Sequence, residues 1–281
     1  MLRQRLPVRP LSGADHDAAL EVCARDRVAN AFVAARIVEG SLRSSPGSLL
    51  GHWSDGELRG LVWVSANVVP VELDQDGVAA VAARIIRMRR QCASIFGPSG
   101  QVIGLWDRLG PTWGPVRAIR AHQPLLTTRD MPSSLGLPLD PDVRPARLDE
   151  VDLVLPAAEH MFTAEIGYPP YRGNDRGYRA SLASLAARGH TYVVVEGGRV
   201  VFKTDIGSLA LGCAQLQGVW LAPELRGRGL AVPMLASVVE QVMVGPAPLV
   251  TLYVNDYNTS ARATYAHIGF REVGDFTTVL L

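Results

Sequence analysis

The feature that most constrains this chain is an order of elements that occurs twice. Val8-Arg9-Pro10-Leu11 opens a helical pattern at Asp15 to Val38, and Val143-Arg144-Pro145-Ala146 opens another at Leu148 to Glu165. In the first half, Leu61 to Val71 reads as strand, Asp74 to Gly77 as turn and Val78 to Arg90 as helix. A short strand at Ala93 to Phe96 and a helix near Gln101 to Leu109 follow. In the second half, Thr191 to Glu196 reads as strand, Gly197-Gly198 as a tight hairpin turn, and Val200 starts the next strand. After a loop near Gly207-Ser208 come a strand at Cys213 to Leu221, a Gly-rich turn and a helix from Leu230 to Val244. A strand at Leu249 to Val254 and a helix from Ser260 to Ile268 end the series. Strands and helices alternating in this way must cover a sheet with helices, which gives α/β lobes. The Pro- and Gly-rich stretch from Met131 to Pro145 has few large apolar residues and reads as a linker. The expected organisation is therefore a lobe at 1–130, a linker at 131–142 and a lobe at 143–281. A length of 281 residues suits two domains of about 150 residues each.

Composition narrows the function classes. Hydrophobic residues make up 48% and charged residues 20%, which is globular and not disordered. The net charge of +1 is not the footprint of a protein that binds a polyanion, so no nucleic-acid partner is expected. No apolar run reaches the roughly 18 residues of a spanning helix, and the start MLRQRLPVRPL lacks the apolar core of a signal peptide. The three cysteines, Cys23, Cys92 and Cys213, are far apart and without CxxC spacing, so disulfides and a Cys-based metal site are not expected. The six histidines are likewise scattered. These features point to a cytoplasmic protein, without membrane partner or metal. Nucleophile-elbow, P-loop and strand-linked dinucleotide patterns are missing from the sequence.

One motif stands out. The strand ending Gly218-Val219-Trp220-Leu221 runs through Ala222-Pro223-Glu224-Leu225 into Arg226-Gly227-Arg228-Gly229-Leu230-Ala231, and then into an amphipathic helix. Glycines allow a sharp turn that gathers backbone N–H groups, and the helix start adds unpaired amides and its positive dipole end. That makes an anion site suited to phosphate or pyrophosphate, with Arg226 and Arg228 at its rim. Taken alone, the same pattern also serves as a plain strand-to-helix turn. A second segment, Asn255 to Phe270, follows the strand TLYV, and Asn258, Ala261 and Tyr265 share one face at helical offsets.

Together the two segments resemble the GNAT superfamily of N-acetyltransferases. Arg226, Gly229 and Ala231 match its loop pattern, and Asn258, Ala261, Tyr265, Gly269 and Phe270 match its later segment. The resemblance covers Val143 to Leu281, and the whole chain looks like two-lobed actinobacterial GNAT proteins with an uncharacterised, degenerate N-terminal lobe. It implies an α/β (α+β) fold with two GNAT-like lobes, each a mixed, mostly antiparallel sheet flanked by helices. It implies acetyl-CoA, or another acyl-CoA, as co-substrate and no metal. The pyrophosphate is then expected on the amides of Gly227, Arg228, Gly229, Leu230 and Ala231, beside Arg226. The pantetheine is expected along Val219, Trp220 and Leu221, with Asn258 contacting it or capping its helix. The acceptor is an amine of unstated identity, attacking directly. An amide near Val219 is the expected oxyanion donor, and Tyr265 the expected general acid.

The base is not visible from the sequence. Gln215 and Gln217 stand where some relatives carry a carboxylate; a water relay or Glu165 remain, although Glu165 reads first as a solvated helix-end carboxylate, and His160 and His267 read as structural or surface residues. In the first lobe the equivalent turn, Glu72-Leu73-Asp74-Gln75-Asp76-Gly77, carries three carboxylates and would repel a pyrophosphate. No acyl-CoA site is expected there. Arg84, Arg87, Arg89 and Arg90 read as a solvated helix face, and Trp53, Trp63, Trp106 and Trp113 mostly as core or lobe-interface residues. Alternatives are a non-catalytic acyl-CoA sensor and a mycothiol-synthase-like tandem acetyltransferase, as monomer or homodimer.

Overall fold

The structure is a computed structural model that describes residues 7–281, with side chains for all of these except residues 89–91. The side chains of Arg89 and Arg90, part of the expected solvated arginine face, and all of the leading MLRQRL segment thus lie outside what is described. The chain forms two compact units. The first is Met1–Leu126 with Tyr253–Asn258 and Glu272–Leu281; the second is Thr127–Leu252 with Thr259–Arg271.

In chain order the first unit contributes β1 (Val8–Pro10), α1 (His16–Ala24), α2 (Ala31–Val38), α3 (Ser41–Ser44), β2 (Leu49–Ser54) and β3 (Glu57–Val64). Next come β4 (Asn67–Val71), α4 (Gln75–Ile85), β5 (Ser94–Pro98), α5 (Ser99–Trp113) and β6 (Ala118–Thr128). The second unit contains β7 (Arg144–Pro145), α6 (Val151–Ile166), α7 (Arg176–Ala187), β8 (Thr191–Glu196), β9 (Arg199–Ala210) and β10 (Cys213–Leu221). It continues with α8 (Ala231–Val244), β11 (Leu249–Tyr253) and α9 (Thr259–His267), and the chain ends in β12 (Arg271–Leu280).

The first unit's strands run β1-β2-β3-β4-β5-β12-β6, so the C-terminal strand is built into the N-terminal unit. Its pairing with β5 is antiparallel, from Phe276 opposite Pro98 to Leu280 opposite Ser94. The second unit's strands run β7-β8-β9-β10-β11. Most pairs are antiparallel; β4–β5 and β10–β11 are parallel.

Several expectations change in detail. The apolar run Leu61 to Val71 is the end of β3 and all of β4, a hairpin turned at Ser65-Ala66, because alternation alone does not show a reversal. The helical pattern Asp15 to Val38 breaks at residues 25–30 into α1 and α2. The expected loop at Gly207-Ser208 is a bulge inside β9, where Gln215 pairs with Ser208 and Leu216 with Ile206. The reversal falls instead at Leu211-Gly212, with φ +53° and +67°. The turn expected at Asp74 to Gly77 is the first turn of α4.

Each unit has its own core. In the first, Val62, Val68, Val81, Ile85, Ile95, Val102, Leu105 and Leu109 are buried between the sheet and the α4–α5 pair. In the second, α8 buries Leu235, Val238, Val239 and Val242 at helical spacing. Each such side chain contributes roughly 1.5–3 kcal/mol relative to exposure. The Pro- and Gly-rich stretch read as a linker is fastened to α8. Ser133 donates to Glu240 at 2.6 Å, Ser237 donates to the Asp140 carbonyl at 2.9 Å, and Gln241 donates to the Val143 carbonyl at 2.9 Å. The three cysteines are free and buried.

Candidate functional site

The second unit's site grows out of β10. Its parallel pairing with β11 spans Cys213–Gln215 against Leu249–Thr251, while β10 runs on to Leu221. Beyond Gln215 the β11-facing edge of β10 has no partner in that register. On the other edge, Gln217 pairs with Asp205 and Trp220 with Lys203, so Gly218 and Val219 together oppose Thr204 alone. This is a bulge with its first residue, Gly218, at φ +61°. A Cβ there would meet Met161 Cε at 2.8 Å, Lys203 Nζ at 3.4 Å and Asp205 Oδ2 at 3.6 Å, so conformation and crowding both require glycine.

β10 leads through the Pro223–Leu225 turn into the Gly-rich loop, where Gly227 and Gly229 sit at φ +72° and +75°. A Cβ at either would meet nothing within 4 Å, so the space above them is open. Among the described residues, the N–H groups of Gly227, Arg228, Gly229 and Leu230 donate to no acceptor. α8 follows at once, and the residue at its N-cap, Leu230, offers no side-chain cap. Four unpaired amides and an uncapped helix start are donors that an anion can accept from. Arg228 is exposed beside it. Arg226 is less free than the sequence suggested, because its Nε donates to the Leu221 carbonyl at 2.9 Å and holds the loop to the strand end.

The equivalent place in the first unit is filled. Asp74 caps α4 by accepting from Gly77 N–H at 2.7 Å. Glu72, at φ +53°, takes a hydrogen bond from Asn30 at 2.9 Å. The Asp74 carboxylate thus takes the place of an anion at the start of α4.

Tyr265 lies on α9, 7% exposed, with its ring 5.9 Å from that of Phe270. Its hydroxyl makes no hydrogen bond among the described residues. Burial, and next the negative charge of Glu165, push its phenol well above the usual range. It therefore holds its proton at all ordinary pH, as a donor must. Ala261 shares its helix and is partly buried. Asn258, exposed, directly precedes α9; it falls in the first compact unit and donates its N–H to the Asn255 carbonyl at 2.9 Å. The sequence placed Asn258 on the helix face, whereas α9 starts one residue later.

The remaining candidates sort by partner. Trp220 Nε1 donates to His160 Nδ1 at 3.0 Å, which fixes the imidazole with its proton on Nε2 and ties α6 to β10. His160 is thus a structural link. His267 is exposed at the end of α9. Gln215 is buried and Gln217 lies against Gly207. Sequence reasoning missed Lys203, which is 0% exposed and paired to Asp205 at 2.6 Å, while Asp205 also accepts from Thr191 at 2.8 Å. The signal was present: of 28 basic residues it is the one lysine. Among the described residues, no group of three or more His, Cys, Asp or Glu is placed to hold a metal, and no helix is long and apolar enough to cross a membrane.

Comparisons with known proteins agree with this geometry. Residues 202–279 match the family model described as FR47-like protein, and residues 47–154 match a domain of unknown function (DUF4081). The whole chain superposes on a tandem GNAT protein from the clavulanic acid biosynthesis pathway, with a TM-score of 0.60 and 17% identity over 96% of this chain and 97% of that one. This chain has the two-lobed GNAT fold. A GCN5-related N-acetyltransferase from Sphaerobacter thermophilus matches with a TM-score of 0.58 at 17% identity, covering 99% of this chain and 96% of that chain. An acetyltransferase from the GNAT family from Colwellia psychrerythraea matches at 0.55 and 12%, covering 98% and 99%. Within this GNAT fold, the anion loop, the β10 bulge and Tyr265 belong to one chain segment, 218–265, inside the stretch matched by the FR47-like model.

Proposed function

We propose that this protein transfers an acyl group, acetyl in the simplest case, from acyl-CoA to a primary amine, using one site in its second unit. The observation that carries this reading is the run of four undonated amides from Gly227 to Leu230 ahead of an uncapped α8. That cradle fits a pyrophosphate, and the open space over Gly227 and Gly229 leaves room for it. Among the described residues β10 beyond Gln215 lies outside its pairing with β11, and this stretch fits the amide groups of a pantetheine arm, with Val219, Trp220 and Leu221 along it. When bound, acyl-CoA supplies a thioester. The protein's part is then positional and electrostatic. The Val219 N–H, within the bulge, is the donor that would stabilise the negative charge developing on the acyl oxygen. Transfer forms a C–N bond and breaks the C–S bond. Tyr265 donates its O–H to the departing sulfur, and Glu165, directly or through a water, takes the amine proton.

The test is a calorimetric titration with acetyl-CoA and longer acyl-CoAs, with thermal shift in parallel. Ligand at about 100 times Kd stabilises the native state by about 2.7 kcal/mol, a readily visible shift. Transfer is then assayed on an amine panel, where Tyr265→Phe should lower kcat by about 10²-fold or more while acyl-CoA affinity holds. No binding by any acyl-CoA overturns the proposal. Binding without transfer to any amine reduces the protein to an acyl-CoA binder and overturns the enzymatic reading.

A further inference from the structure

A side-chain cluster that the reading above uses only through Glu165 lies on α6 and the segment that leads into α7. Glu159, Phe162 and Glu165 follow one another at spacings of three on α6, so Phe162 neighbours each of the two carboxylates. Around Phe162 stand three tyrosines: Tyr168 at 5.9 Å and Tyr178 at 6.2 Å between ring centroids, with Tyr171 a further 6.1 Å from Tyr178. Phe162, Tyr171 and Tyr178 are only half-buried, and Tyr168 is 37% exposed. Four rings that meet yet stay open to solvent are not a finished core.

The cluster is acidic. Tyr171 donates its hydroxyl to Glu159. Burial, followed by the charges of Asp205 and Glu159, and also that of Glu165, pushes the Tyr178 phenol up to about 12. Two cations of these elements are paired: Arg179 with Asp152 and Asp175, and Lys203 with Asp205. The cluster also adjoins the β10 bulge, because Met161 on α6 packs over Gly218. A separate observation points the same way. The nine-tenths buried Tyr265, whose hydroxyl has no partner among the described residues, lies under the charge of Glu165. One carboxylate therefore acts both on the aromatic cluster and on the proposed acid.

We propose that this acidic aromatic cluster receives the acceptor, and that the acceptor is a cationic amine with no carboxylate beside the reacting nitrogen. The inference rests on the acyl-transfer reading above and adds a substrate class to it. Ring faces attract an ammonium group, and Glu159, with Glu165 two turns further along α6, supplies opposite charge. The same carboxylates repel an amino-acid or dicarboxylate acceptor. A carboxylate at Glu165 also suits loss of the ammonium proton before attack.

The test measures binding and turnover separately on the full chain. Binding of 1,5-diaminopentane and of glutamate is followed by calorimetry, with and without acetyl-CoA, and transfer to each is assayed. The diamine should bind and be acetylated, and glutamate should do neither. Glu159→Gln and Glu165→Gln should each raise Kd and KM for the diamine about tenfold or more, with acetyl-CoA affinity unchanged. Equal or better use of glutamate, no diamine binding, or a diamine KM unmoved by both variants overturns the proposal. If acetyl-CoA binds and only anionic amines are acetylated, this inference fails and the acyl-transfer reading stands. If acetyl-CoA does not bind, that reading fails, while diamine binding still reports on the cluster.

Discussion

Replacing Lys203 by Met is the sharpest test of how the site is supported. Lys203 is 0% exposed and Asp205 4% exposed, with Nζ and Oδ2 2.6 Å apart. Asp205 spends its other oxygen on the Thr191 hydroxyl at 2.8 Å. Met keeps the length of the side chain but removes the ammonium, leaving a buried carboxylate with one neutral donor. Breaking a buried pair from one side costs about 3–5 kcal/mol. Against a total stability of about 5–15 kcal/mol, that is a large share. Removing both charges is different, because paying to desolvate two ions is avoided; Lys203→Met with Asp205→Leu should recover at least half of the loss. Urea unfolding followed by circular dichroism reads these values. Lys203→Arg should also destabilise, by about 1–3 kcal/mol, because a planar guanidinium is bulkier than the ammonium that the bulge at Gly218 leaves room for. A loss below about 1 kcal/mol for Lys203→Met, or a double variant as unstable as the sum of the singles, would refute the reasoning.

Further outcomes follow from other parts of the chain. Gly229→Ala, at φ +75° in open space, should cost about 1 kcal/mol of stability in thermal unfolding yet weaken acetyl-CoA binding at least tenfold by calorimetry. Glu150, held by Arg144 at 2.7 Å and by the Arg147 N–H, has its carboxyl lowered to about 2 from 4.5. Its depressed value stabilises the fold fully above pH 4.5, and that contribution is lost as pH falls toward 2. With allowance for the half-exposed Arg144, the difference is of order 1–2 kcal/mol, and Glu150→Gln should flatten the stability profile in that window. Cys23 is buried, and burial followed by the Glu72 charge pushes its thiol up to about 12. It should stay unmodified by iodoacetamide at neutral pH in the native protein, as mass spectrometry will show.

What the sequence revealed and what it hid have physical reasons. The loop, the strand before it and Tyr265 were legible because glycine spacing and helical offsets are local. Lys203–Asp205 was hidden because its importance lies in burial, which one lysine among 28 basic residues only hints at. β12 carries Phe276, Thr277, Thr278 and Val279 as buried residues, with no alternation to mark it. Its place beside β5 is a contact across most of the chain, beyond the reach of a local pattern. The aromatic and acidic cluster was missed for the same reason, since Tyr171 and Tyr178 come together with Glu159 only after α6 and α7 pack.

The two units pose one question twice, and they answer it differently at a single kind of position. Both place a helix after a strand whose parallel partner pairs briefly, over Asn67–Val68 in the first and Cys213–Gln215 in the second. Both therefore point helix N–H groups at the end of the sheet. In the first unit Asp74 accepts one of those N–H groups. In the second, glycines take the positions before α8, and four amides are left to an outside acceptor. A side-chain cap contributes about 1 kcal/mol to a helix, so α8 forgoes a stabilisation that α4 takes. Forgoing it costs least where a ligand replaces it. Among the described residues, the contrast is thus an argument for putting the proposed pyrophosphate site at the start of α8 and not at that of α4.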